Sequence, residues 1–324
     1  MDQELFEKLN KEGLLGDESL GKVRAAAAVR IFSIHWELNS LLYVGVLLLT
    51  SGLSILVYEH IDSIGHLAVL IFIAVLGAGG YFYCLRKKFP FSTGKVQSPD
   101  VFVDYLLLLS CLCFIIFIGY WQYQYHVFGD RFGLVTFIPM LVLVFTAYFF
   151  DHLGILCLAI TNLAAWVGIV VTPTRILKAN DFNSNTIIYT GLALGLFLLI
   201  VGKLTIRRAI KPHFAFTYTN FGMNILFVSC LAGLFQFEQV YLAWFLLLAG
   251  VAFYFYREAV RENSFYILLM LTLYGFIGLS YVVVNQPFWG FSTGAWMLIC
   301  LYFISSGIAL ILFLIRMNKK FKAI

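Results

Sequence analysis

The chain has 324 residues, 61% of them hydrophobic and only 12% charged. A soluble domain carries about twice that share of charge, so a water-soluble globular protein is excluded. The formal net charge of +5 does not indicate a nucleic-acid binder. The basic residues sit between long apolar runs with no base-stacking aromatics among them, as in the loops of a membrane protein.

Residues 1–39 are the one sizeable polar piece. The opening MDQELFEKLNKEG is charged and acidic and has no apolar core, so no signal peptide is expected. Leu5, Phe6 and Leu9 predict a short helix ending near Gly13, and Asp17 is a candidate N-cap for a second. On that second helix Leu20, Val23, Ala27, Ile31, Ile34 and Leu38 recur at steps of three or four, which is one helical face. Such a segment is expected to lie on the inner membrane surface or to pack on the protein's own bundle.

From Leu41 to Lys88 the chain reads as a membrane hairpin. LLYVGVLLLTSGLSILVY is followed by the polar link EHIDSI, then by GHLAVLIFIAVLGAGGYFYCL and the basic stop RKK. Each apolar run is near the roughly 20 residues that cross a bilayer core about 30 Å thick. The turn Gly13 to Glu18, the first span, the polar link and a second span ending in aromatic and basic residues carry a resemblance. They resemble predicted bacterial multi-pass membrane proteins known as domain-of-unknown-function family 2157, over the first quarter to third of the chain. That family implies a membrane fold and brings no activity, cofactor or site residues.

The same device repeats to the C-terminus. Ten spans are predicted, near 40–58, 65–85, 101–121, 132–150, 153–172, 187–204, 216–236, 239–256, 265–284 and 291–315. The fold class is therefore an all-α polytopic membrane protein, with a segment 1–39 and a membrane domain 40–324. Only Asp151-His152 separates spans four and five. A single helix over 132–172 would be roughly 60 Å long, twice the bilayer core, so the chain must turn there. With both termini cytoplasmic, 19 of the 22 Lys and Arg fall inside, and Arg131, Arg175 and Lys178 fall outside. That asymmetry predicts a cell-membrane protein in this orientation. A weak internal echo links Ala78-Gly79-Gly80-Tyr81-Phe82-Tyr83 with Ala249-Gly250-Val251-Ala252-Phe253-Tyr254, each followed by Arg. If it marks a repeat, spans 1–4 and 7–10 are parallel copies, as in some transporters.

Candidate chemistry is sparse. Gly290-Phe291-Ser292-Thr293-Gly294 fits a nucleophile-elbow pattern, but it opens a span and no His follows His213. Ser292 reads better as an N-cap. Glu59, His60, Asp62 and His66 cluster around the first link without a metal-ligand spacing, so an exposed polar link is the simpler reading. Asp151-His152 reads as a turn and N-cap rather than a proton relay. Ser98-Pro99-Asp100 predicts an N-cap, a tolerated proline and an acid in the first turn of span three. The six cysteines form no CxxC pair and read as packing residues.

Asp104 is the one acid expected inside a span, close to a helix N-terminus that favours an anion. Asn162 and Trp166 in span five, and Asn220 and Asn224 in span seven, are the other candidate cavity residues. Asn162 and Asn224 lie at comparable depth near the midplane, where transporters place substrates. They are expected to face one another or a shared cavity with Trp166 at its outer side; the simpler alternative is interhelical hydrogen bonding. No catalytic set, metal or cofactor is expected, and the bilayer is the one partner implied. The function reading is a transporter or permease for a neutral or amphipathic small molecule. Its alternative is a non-catalytic scaffold or sensor with a cytoplasmic N-terminal segment.

Overall fold

A computed structural model describes residues 16, 35–87, 90–96, 100–171, 185–285 and 293–322. Among these residues ten long helices form and no strand does. They are α1 (His35–Ile64), α2 (His66–Lys87), α3 (Val101–Tyr125), α4 (Gly133–Phe150) and α5 (Leu153–Val171). Then follow α6 (Asn185–Arg207), α7 (Ala215–Gln236), α8 (Tyr241–Arg261), α9 (Phe265–Val284) and α10 (Thr293–Lys322). Among the described residues α2 to α10 are nine helices long and apolar enough to cross a membrane, while the apolar stretch of α1 is Ser40–Ile55. The protein is thus an all-α polytopic membrane protein. The predicted N-terminal helices and the Ser292 cap lie outside the described residues.

Two units divide the chain, Met1–Tyr58 and Glu59–Ile324, with α1 running across the boundary. In the first unit Thr50, Ser51 and Ser54 turn their hydroxyls back onto α1 carbonyls three or four residues earlier. That satisfies each hydroxyl within its own helix, which an apolar surrounding demands.

Several boundaries depart from expectation for local reasons. The first link is not a polar loop: α1 continues to Ile64, and Gly65 alone makes the turn at φ 82°, a left-handed conformation that glycine adopts freely. Asp100, not Ser98, caps α3, its carboxylate accepting from the Phe102 N–H at 3.3 Å. The turn between α4 and α5 falls at Asp151, as helix length required. Pro139 lies inside α4 without ending it. Helices α8 and α10 run five to seven residues past their predicted spans, carrying Arg257, Arg261, Arg316, Lys319 and Lys320 beyond the apolar stretch.

In the second unit α7 is the central helix. Its inner face buries Met223, Leu226, Phe227, Cys230, Leu231 and Leu234 against Leu248 and Phe255 of α8 and Ile267, Leu268 and Leu271 of α9. Helix α6 packs along α7 on a glycine seam. A Cβ on Gly195 would come 2.6 Å from Leu226 Cγ and 3.1 Å from the Gly222 carbonyl. One on Gly222 would come 2.9 Å from the Gly195 carbonyl. Small residues here bring the two backbones into contact, which is how helices associate where no hydrophobic effect draws them together. Helix α2 meets α3 in the same way through Gly77 and Gly80, which face Cys113, Ser110 and Leu106. Cys84, Cys111, Cys113 and Cys230 are buried packing residues as expected, but Cys300 is exposed.

Candidate functional site

Three places in the second unit concentrate polar groups or space. The first holds Asn220 and Asn224, two of the three amides singled out in the sequence. Asn220 and Asn224 sit one turn apart on α7, and both bond across to α9. Tyr266 donates to Asn220 Oδ1 at 2.8 Å and Tyr274 donates to Asn224 Oδ1 at 2.9 Å. Asn224 Nδ2 in turn donates to the Asn220 side chain at 2.9 Å and to its carbonyl at 2.8 Å. Tyr274 is held flat on Phe227, ring centroids 5.0 Å apart. Asn162 on α5 donates back to the Leu158 carbonyl of its own helix at 3.0 Å. Trp166 packs on Phe137 of α4 at 5.1 Å and beside Gly133. Sequence reasoning did not foresee the two tyrosines as the partners of the α7 amides.

The second place is a crevice of about 320 Å³ between α2, α3 and α4. Ile73, Ala74, Gly77 and Tyr81 of α2, Ser110, Phe114 and Phe117 of α3, and Leu143 of α4 line it. It opens on one side, where Ala78 and Val142 are exposed. Gly77 is near the middle of α2, so the crevice lies at mid-membrane depth. Its few polar groups already have partners: the Tyr81 hydroxyl meets Thr146 Oγ1 at 3.2 Å, and Ser110 donates to the Leu106 carbonyl at 2.8 Å.

The third place is an ionic cluster on the face where α2, α4, α6 and α8 end. Asp151 is in the left-handed region at φ 61°, and its carboxylate is 2% exposed. It accepts from Lys211 Nζ at 3.1 Å, His213 Nε2 at 2.6 Å and the Val96 N–H at 2.5 Å. Lys211, also left-handed at φ 51° and 1% exposed, donates from Nζ to the Gly94 carbonyl at 3.0 Å and lies over Phe91. Its own N–H bonds to the Thr93 carbonyl at 2.8 Å. Two non-glycine residues in a strained conformation persist only where surroundings over-determine them. Here the compensation is a buried ion pair whose every group is hydrogen-bonded, the one arrangement in which burying charge is tolerable. His213 Nδ1 is the exception, buried without a partner among the described residues.

The neighbouring His152 is buried too, and its Nδ1 accepts the Ile155 N–H at 3.2 Å, capping α5. Burial pushes this imidazole below its ordinary value, against the opposing pull of Asp104. Asp104, the acid expected about a turn inside span three, lies in the first turn of α3 beside this buried histidine. The turn and N-cap expected at Asp151-His152 form, with Asp151 ending α4 and His152 capping α5, whereas Lys211 enters the sequence analysis only as an inner-loop cation and His213 has no role in it. The signal that marks them is an acid in the two-residue reversal between two spans, and a lysine directly before a proline. Among the described residues no three His, Cys, Asp or Glu side chains converge on a metal position.

Residues 7–156 match the model of the family described as Predicted membrane protein (DUF2157). The match is longer than the N-terminal resemblance alone, reaching through α4 to the start of α5. It takes in the crevice helices α2, α3 and α4 together with Asp104, Asp151 and His152, while Lys211, His213 and the α7 amides lie beyond the DUF2157 region. No curated protein and no solved structure matches the chain.

Proposed function

We propose that the protein binds a neutral or amphipathic small molecule in the crevice between α2, α3 and α4 and moves it through the bilayer, as a permease does. The observation that carries this reading is the crevice itself. Its volume of about 320 Å³ is at the lower end of small-ligand sites, its walls are apolar with a hydroxyl at one end, and its depth is that of transporter substrate sites. A charged substrate would find no counter-charge there. A second reading, a non-catalytic scaffold or sensor, is favoured by the Asn220–Asn224–Tyr266–Tyr274 network, which spends on helix packing the amides a substrate would otherwise use. For either reading we place the protein in the cell membrane with cytoplasmic termini, because of the loop charge bias.

The test uses an uncharged amphiphile, a monoacylglycerol bearing a photoreactive diazirine, with the protein in proteoliposomes. Labelling should concentrate on peptides containing residues 73–81 and 110–117 and fall at least ten-fold in Ala74→Phe, which fills the crevice. A fluorescent amphiphile should cross the vesicle wall faster with the wild type than with that variant. Labelling spread evenly over all lipid-facing helices, or unchanged by Ala74→Phe, would remove the ligand site. Labelling without accelerated crossing would favour the sensor.

A further inference from the structure

On the same face as the ionic cluster, the ends of α6 and α8 enclose two adjoining cavities of about 240 and 550 Å³. Both are lined by Lys203, Tyr254, Glu258 and Arg261; the larger adds Arg257 and Tyr256, and the smaller adds His213. Charge within them is unevenly spent. Arg261 is engaged by Glu258 and, at 3.5 Å, by Glu262. Lys203 has only the face of Tyr254, 4.9 Å away, and Arg257 has no ion-pair partner among the described residues. Two cations are therefore left over at one mouth. Toward the membrane the same two helices expose Ile200 and Phe253, so whatever sits at the mouth has apolar helix faces beneath it. Tyr254 and Tyr256 belong to the aromatic belt that marks headgroup depth.

We propose that this mouth seats the phosphodiester headgroup of an anionic phospholipid, held by Lys203 and Arg257. A phosphate suits the pair, because the arginine fork matches its oxygens two at a time and the lysine supplies a compact point charge. A lipid suits the place better than free phosphate, because its tails would cover the exposed faces of α6 and α8. The site is preformed: Pro212 and His213 form its far wall, and the loop that carries them is tied down through Lys211 and His213 to Asp151.

Native mass spectrometry of the full-length protein in detergent, titrated with phosphatidylglycerol or phosphatidylcholine, tests this. The wild type should retain phosphatidylglycerol in preference. Lys203→Gln or Arg257→Gln should lower that affinity about five-fold each, and together about 25-fold, from the roughly 1 kcal/mol that a basic residue contributes near an anionic surface. Lys203→Arg with Arg257→Lys should keep it. A double glutamine variant that keeps the wild-type preference overturns the proposal. So does inorganic phosphate that displaces the lipid as fully as excess lipid does, which would make the site one for the free ion. On the wild type alone, phosphatidylglycerol but not phosphatidylcholine should slow phenylglyoxal modification of Arg257; equal protection by both also overturns it.

Discussion

Asp151 and Lys211 show what a side chain can do that its position in a hydropathy plot conceals. Lys211 enters the charge asymmetry as one more solvated cation, yet its side chain is 1% exposed and meets a carboxylate as deeply buried. Removing one partner of such a pair leaves the other uncompensated, at a cost of about 3–5 kcal/mol. Lys211→Met should therefore lower the thermal midpoint of the detergent-solubilised protein sharply, and adding Asp151→Asn should recover at least half of the loss. If the double variant is no more stable than Lys211→Met alone, the two charges do not compensate one another. The candidate residues fare unequally at this scale. Asn220 and Asn224 are legible as interior polar groups, because a bare amide facing lipid is costly. Their tyrosine partners are not, because nothing local distinguishes a bonded tyrosine from a belt tyrosine.

At the scale of elements, helix length and apolar content were enough to place the ten helices, including the two-residue reversal at Asp151-His152. What they could not give was which helix touches which. The seam between α6 and α7 depends on Gly195 and Gly222, whose missing side chains let the backbones meet. Gly195→Val should force the helices apart and cost about 1–3 kcal/mol, the usual penalty of overpacking. Gly250, where a side chain would meet nothing within 4 Å, is the control: Gly250→Ala should leave the midpoint unchanged or raise it slightly. A drop at Gly250 equal to that at Gly195 would mean the seam is not special. The internal echo rests largely on open positions. Gly79 and Gly250 both face open space and Phe82 and Phe253 are both exposed, whereas Tyr81, bonded to Thr146, aligns with Ala252. It is a likeness of membrane-facing surface more than of packing.

For the molecule as a whole, the four turns after α2, α4, α6 and α8 come together on one face. Val96 reaches Asp151, Gly94 reaches Lys211, and His213 and Glu258 line one cavity. Charge counting puts the turns after α2, α6 and α8 on one side, because loops rich in Lys and Arg stay behind when spans insert; the turn after α4 holds no Lys or Arg and follows by alternation. Which side that is can be read directly. In a cysteine-free background, Lys95→Cys should react with an impermeant maleimide only after cells are opened, and Asp130→Cys should react in intact cells. The reverse pattern would invert the protein. Cavities were beyond reach of sequence, since the crevice exists only where three helices fail to close.

The ion pair also sets a clock on synthesis. Asp151 leaves the ribosome sixty residues ahead of Lys211, which at roughly 5–20 residues per second is a wait of about 3–12 s. Over that interval the nascent chain grows from four long helices to six while the carboxylate, without its cation, stays hydrated at the membrane edge. The first half can therefore insert but cannot finish docking until the seventh helix begins to emerge.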